Sequence, residues 1–152
     1  MARSLWLALV FTVLEFGGAV LASPVSLLAV AVGGAAGSVA RYLLILAVGQ
    51  WVGTRFPFGT VIVNVIGCFA MGVLSELAAL TWAPSPEVRA LILVGVLGGF
   101  TTFSSFTLDL GTLVGRDELL AAFAYLASSV VLTILGFFAG LWVVRSLVSV
   151  SL

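Results

Sequence analysis

Four stretches of the chain are apolar almost throughout and are separated by short runs of charge, Gly and Pro. Crossing roughly 30 Å of hydrocarbon takes about 20 apolar residues in a helix, and each stretch meets that length. They run over 25–48, from Pro57 to 80, from 88 to the loop Gly115-Arg116-Asp117-Glu118, and over 119–144. Trp51 and Arg55, in the segment Gly49-Gln50-Trp51-Val52-Gly53-Thr54-Arg55-Phe56-Pro57, have the character of interface anchors. The pattern predicts an all-α integral membrane protein.

Charge excludes the alternatives. Six Arg and six acids are all that 152 residues carry, with 62% of positions hydrophobic and a mean hydropathy of +1.34. A soluble domain carries about 25% charged residues, whereas this chain has 8%, too few to cover a wetted surface. A disordered chain and a nucleic-acid binder fail on the same count, since the net charge is zero. With no His and Cys68 as the single cysteine, His-based acid–base catalysis, His/Cys zinc sites and Cys–His nucleophiles are excluded. The chain is not expected to be an enzyme, and Cys68, in an apolar run, reads as a packing residue.

Ahead of the four stretches, residues 1–24 form a hydrophobic extension with Arg3 near its start and Glu15 within it. A cleaved signal, an extra helix and a plain extension all fit this composition, and a helical extension is the reading adopted here. Four spans would put Arg3, Arg89 and Arg145 on one side and Arg55 and Arg116 on the other. That near-tie gives the positive-inside rule little to act on and permits insertion both ways up.

Polar groups at membrane depth are costly and therefore informative. The densest set is Gly98-Gly99-Phe100-Thr101-Thr102-Phe103-Ser104-Ser105-Phe106-Thr107, where paired glycines and five hydroxyls make a poor helix interior. The third helix is expected to break there, near the midplane, with its freed backbone buried or facing a wet cavity. Phe103 and Phe106 project from one side of the helix that resumes, and the positive edges of their rings can stand in for part of an anion's hydration. Thr60 and Asn64 lie one turn apart, and the Asn64 amide carries two N–H donors. Tyr125, Ser129 and Thr133 recur every fourth residue as one polar row. Pore lining and the gluing of helices are both open for that row, whereas Ser128 reads as glue. Gly33 with Gly37, and Gly136 with Gly140, suit close helix crossings. Arg41 is expected to face protein, water or the interface rather than lipid.

Three motifs together resemble the small bacterial fluoride channels of the Fluc or CrcB family. They are Gly33-Gly34-Ala35-Ala36-Gly37-Ser38-Val39-Ala40-Arg41-Tyr42, Phe58-Gly59-Thr60-Val61-Ile62-Val63-Asn64-Val65-Ile66-Gly67 and the Gly98–Phe106 segment. Asp109 stands where the family more often has Glu. The resemblance implies a four-helix fluoride channel domain at 25–148, with a tail at 149–152, assembled as an antiparallel, dual-topology homodimer with two pores lined by both subunits. It implies a fluoride path along Phe103, Phe106, Asn64, Thr60, Tyr125, Ser129 and Thr133. It also implies a structural sodium ion at the dimer interface, held by the backbone carbonyls of Gly98 and Thr101, and it leaves the role of Arg41 open.

The function expected from that resemblance is passive, fluoride-selective efflux across the bacterial inner membrane, conferring fluoride resistance. Two other readings stand beside it. One is a proton-coupled exporter of organic cations with Glu15 as coupling carboxylate. The other is a non-transporting assembly subunit whose glycines and hydroxyls serve packing alone.

Overall fold

A computed structural model describes residues 23–150, with side chains described to 148, and everything in that range is helix or short connection. The readings made of 1–22, Arg3 and Glu15 among them, lie outside the described residues. Helix α1 spans Pro24–Val52 and α2 spans Phe58–Leu80. The third apolar stretch is composite: α3 Pro86–Arg89, a π-helical segment Ala90–Leu97, α4 Gly98–Phe100 and α5 Phe103–Gly115. Helix α6, Leu119–Val150, is the last described element. Four helical stretches, Pro24–Val52, Phe58–Leu80, Pro86–Gly115 and Leu119–Val148, are long and apolar enough to cross a membrane.

Local signals set the ends. Ser23 and Ser85 cap α1 and α3, their hydroxyls accepting from the N–H groups of Ser26 and Val88, and each is followed by a Pro whose missing N–H costs nothing in a first turn. Gly53 stops α1 at φ 82, a left-handed backbone in which its N–H donates to the Gly49 carbonyl. Asp117 turns the chain between α5 and α6 at φ 59, and Asp is one of the few side chains that enters that region readily.

Close backbone contact joins the helices in pairs. A Cβ on Gly33 would collide with the Leu91 carbonyl, and one on Gly37 with the Val96 carbonyl, so α1 lies directly against the π-helical segment. Gly95 and Gly99 return the contact, against Gly33 and Gly34. On the other side α2 packs along α6, where Gly140 meets the Phe69 carbonyl and Gly72 meets the Phe137 carbonyl. Such small-residue crossings draw their stability from dispersion contacts, because lipid chains are as apolar as Leu.

Charge is treated sparingly. Glu76 on α2, 2% exposed, accepts two bonds from Arg145 on α6, Nε to Oε1 at 2.7 Å and Nη2 to Oε2 at 3.1 Å. This planar fork fixes the ends of the two helices against each other. At the opposite end of the pair, Arg55 and Glu118 form a looser contact of 3.5 Å, with the arginine in the open.

Candidate functional site

Helical geometry lapses at Thr101 and Thr102, whose backbones are extended (ψ 157 and 122) between α4 and α5. Two residues out of helix leave polar backbone that must find partners. Asn64 supplies them: its Oδ1 accepts from the Thr102 N–H at 2.8 Å, and its Nδ2 donates to the Thr102 carbonyl at 3.0 Å. The Thr102 hydroxyl then caps α5, accepting from the Ser105 N–H at 3.1 Å. Because the Thr102 N–H turns to Asn64, the Gly98 carbonyl lacks the partner an α-helix would give it.

Beside this interruption lies a cavity of 230 Å³ walled by Asn64, Cys68, Thr101, Thr102, Phe103, Phe106, Ser129, Val130 and Thr133. Its polar groups are differently committed. One N–H of the Asn64 amide is spent on Thr102, and the other makes no hydrogen bond among the described residues. The Thr133 hydroxyl donates to its own helix, at the carbonyls of Ser129 and Val130. The Ser129 hydroxyl, on a residue 5% exposed, makes no close hydrogen bond among the described residues. Phe103 and Phe106 stand with ring centres 5.2 Å apart, Phe106 buried and Phe103 77% exposed.

Thr60 and Tyr125 form a second cluster along the same two helices. Both hydroxyls donate to one oxygen of Asp109, Oδ2, at 2.6 Å from Thr60 and 3.1 Å from Tyr125. Tyr125 is fully buried, its ring 5.2 Å from that of Phe106 and edge-on to Phe56 at 5.7 Å. The hydrogens of these two hydroxyls therefore point at a carboxylate, and Phe106 connects the cluster to the cavity.

The structure thus brings Asn64, Phe103, Phe106, Ser129 and Thr133 to one cavity and gathers Thr60 and Tyr125 on Asp109. Arg41 is partly buried and makes no hydrogen bond or ion pair among the described residues. Ser128 donates to the Tyr125 carbonyl within its own helix, at 3.2 Å. Sequence reasoning missed three relationships: the place of Cys68 in the cavity wall, the Asn64 bond to Thr102 and the Glu76 pairing with Arg145. The first had a signal, since Cys68 follows Asn64 by one turn on the same helix face. Among the described residues no cluster of three or more His, Cys, Asp or Glu could hold a metal.

Fold and site together define a small multi-pass membrane protein with a polar cavity set beside an interrupted helix. The profile of the family described as "CrcB-like protein, Camphor Resistance (CrcB)" matches residues 28–141, and the chain belongs to that family. It is 55% identical over 123 residues to a protein of Rhodospirillum centenum named "Fluoride-specific ion channel FluC", a match covering 81% of this chain and 98% of the relative. A protein of the same name from Rhizobium etli is 50% identical over 125 residues, 80% of this chain and 97% of its own length. A third, from Nitrobacter winogradskyi, is 45% identical over 119 residues, 78% and 94% of the two chains.

Proposed function

We propose that the protein is a fluoride-selective channel of the bacterial inner membrane that lets fluoride leave the cytoplasm passively. The observation that carries the reading is the cavity lined by Phe103, Phe106, Asn64 and Ser129, with no charged side chain in its wall. A small anion is met there by donors and positive ring edges that replace its water. No Arg lines the cavity, and binding weak enough for release is what conduction requires. Hydrogen fluoride enters cells as the neutral acid and dissociates inside, so a passive pore relieves the load without a pump.

The exposed ring of Phe103 supports assembly with a second copy, since an aromatic forming one wall of a cavity needs a facing wall. The reading is an antiparallel homodimer with two pores, each completed by both subunits, in which the third helix of each subunit is broken at the midplane. The hydroxyls of Thr60, Tyr125, Ser129 and Thr133 continue the route along α2 and α6.

A structural sodium ion fits the residues present. Thr101 is extended and the Gly98 carbonyl has lost its α-helical donor to Asn64, so each subunit offers two hard oxygens of the kind such a cation prefers. A two-fold axis would double that set. Sodium, when bound, supplies a fixed charge that ties the two interrupted helices together.

Purified protein in liposomes tests the whole reading. Fluoride efflux is expected to exceed chloride efflux by orders of magnitude, and Phe103→Ile is expected to abolish it without dissociating the dimer. Equal efflux of both anions, or an unaffected Phe103→Ile protein, would overturn it.

A further inference from the structure

We infer that Phe56 forms the constriction at the outer end of the anion's route, and that the bulk of its ring sets how fast fluoride passes. The inference deepens the fluoride-channel reading and rests on it. One face of α6 gives the order of the parts. Ala121, Tyr125 and Ser129 follow one another at intervals of one turn. They belong in turn to an outer cavity, to the Asp109 cluster and to the 230 Å³ inner cavity. The outer cavity, of about 570 Å³, opens at the end of the bundle where Arg55 meets Glu118.

Phe56 stands between the outer cavity and the cluster. It lines that cavity, and its ring meets the ring of Tyr125 at 5.7 Å with the two planes at 88°. Beyond Tyr125, at 5.2 Å, is Phe106 of the inner cavity. Phe56 and Ala121 both line the outer cavity and pack on the buried core around Tyr125. Of the two, only Phe56 has a side chain large enough to fill a passage. Tyr125 is fully buried and Thr60 is 4% exposed, so the outer cavity is sealed from the cluster at this wall.

The backbone holds the ring in place. Pro57, at φ −80 and ψ 57, closes an inverse γ-turn in which the Phe58 N–H donates to the Phe56 carbonyl at 2.8 Å. The pyrrolidine ring fixes that φ, and the ring of Phe58 packs on that of Phe56 at 4.6 Å. Field plays the lesser part at this end. The charged residues lining the outer cavity are Arg55, Asp117 and Glu118, one cation against two anions, which draws no anion inward. Salt screens exposed charges of this kind further. Passage past an uncharged ring is then decided by the space the ring leaves.

The test is the unitary fluoride current in planar bilayers, which does not depend on the yield of folded protein. Phe56→Trp is expected to lower that current roughly tenfold, and Phe56→Ala to raise it about twofold or more, as pore width dictates. Phe56→Leu should fall between wild type and Phe56→Ala, and it carries the test together with Phe56→Trp where the alanine variant does not fold. The preference for fluoride over chloride should stay as in the wild type, because the inner cavity is untouched. A role in packing alone would lower the melting temperature in detergent and would not move the current in opposite directions for smaller and larger side chains. Currents that fall in both directions, currents that do not change, or a lost preference for fluoride would overturn the inference alone. No fluoride current from the wild type would overturn the channel reading and this inference with it.

Discussion

The Asn64 side chain pairs with the backbone of Thr102 as one strand pairs with its neighbour, giving an N–H to the carbonyl at 3.0 Å and taking one from the amide at 2.8 Å. A single amide on α2 thus satisfies both backbone groups where the third span leaves helical geometry. Asn64→Ala removes both partners at once. Each buried group left unpaired costs about 1–3 kcal/mol, so a fall in melting temperature in detergent is expected together with loss of fluoride efflux. Asn64→Asp keeps the acceptor for Thr102 N–H and loses the donor, and its melting temperature should fall between those of wild type and Asn64→Ala.

Thr60 and Tyr125 both donate to Asp109 Oδ2. Bonds that share an acceptor are not independent. Thr60→Val and Tyr125→Phe should each destabilise by about 1.5–3 kcal/mol, as removal of a hydrogen bond to a charged acceptor does. The double variant should differ from the sum by at least ~0.5 kcal/mol. Chemical denaturation of the two single variants and the double variant measures the coupling, and strict additivity would show that the two bonds do not compete.

The Glu76 pairing with Arg145 is buried on the carboxylate side and half-exposed on the other, at 2% and 47%. Breaking a buried pair by removing one partner costs about 3–5 kcal/mol, and the exposed arginine brings the expectation to the lower end, about 3 kcal/mol for Arg145→Ala. Arg145→Lys keeps the charge but not the fork and should lose less. Thermal unfolding in detergent should rank wild type above Arg145→Lys and that above Arg145→Ala.

Neighbouring glycines should behave oppositely. A methyl on Gly33 would strike the Leu91 carbonyl, whereas one on Gly34 would find open space. Gly33→Ala is therefore expected to lower the melting temperature or the yield of folded protein, while Gly34→Ala should be neutral or slightly stabilising, since Ala is the better helix former. Size-exclusion profiles and melting curves of the two variants decide it.

The four spans were legible in the residues because length and hydropathy decide spanning almost alone, and Gly, Pro and Ser mark most of their limits. Ser23-Pro24 and Ser85-Pro86 now appear as two uses of one capping signal. The crossing at Gly33 and Gly37 was equally readable, although its partner, the Leu91–Val96 backbone, was not. The π-helical segment left no trace in Ala90–Leu97, a uniformly apolar run whose geometry is set by what packs on it. Pairings across helices escaped for a related reason. Asn64 and Thr102 are 38 residues apart, and Glu76 and Arg145 are 69 apart, and no local pattern binds such positions. The polar row on α6 was readable as a row, but its spacing could not tell that Thr133 spends its hydrogen on its own helix while Ser129 makes no such bond among the described residues.

The wide turns of Ala90–Leu97 act as a phase shifter. Each residue inserted into a helix rotates all that follows by about 100°, and π turns are where such insertions are absorbed. Together with the extended pair Thr101 and Thr102, which resets the register between Gly99 and Phe106, the wide turns let one span show Gly95 and Gly99 to a neighbour on one flank and Phe106 to Tyr125 on another. A strictly regular rod would have to choose between those two companions.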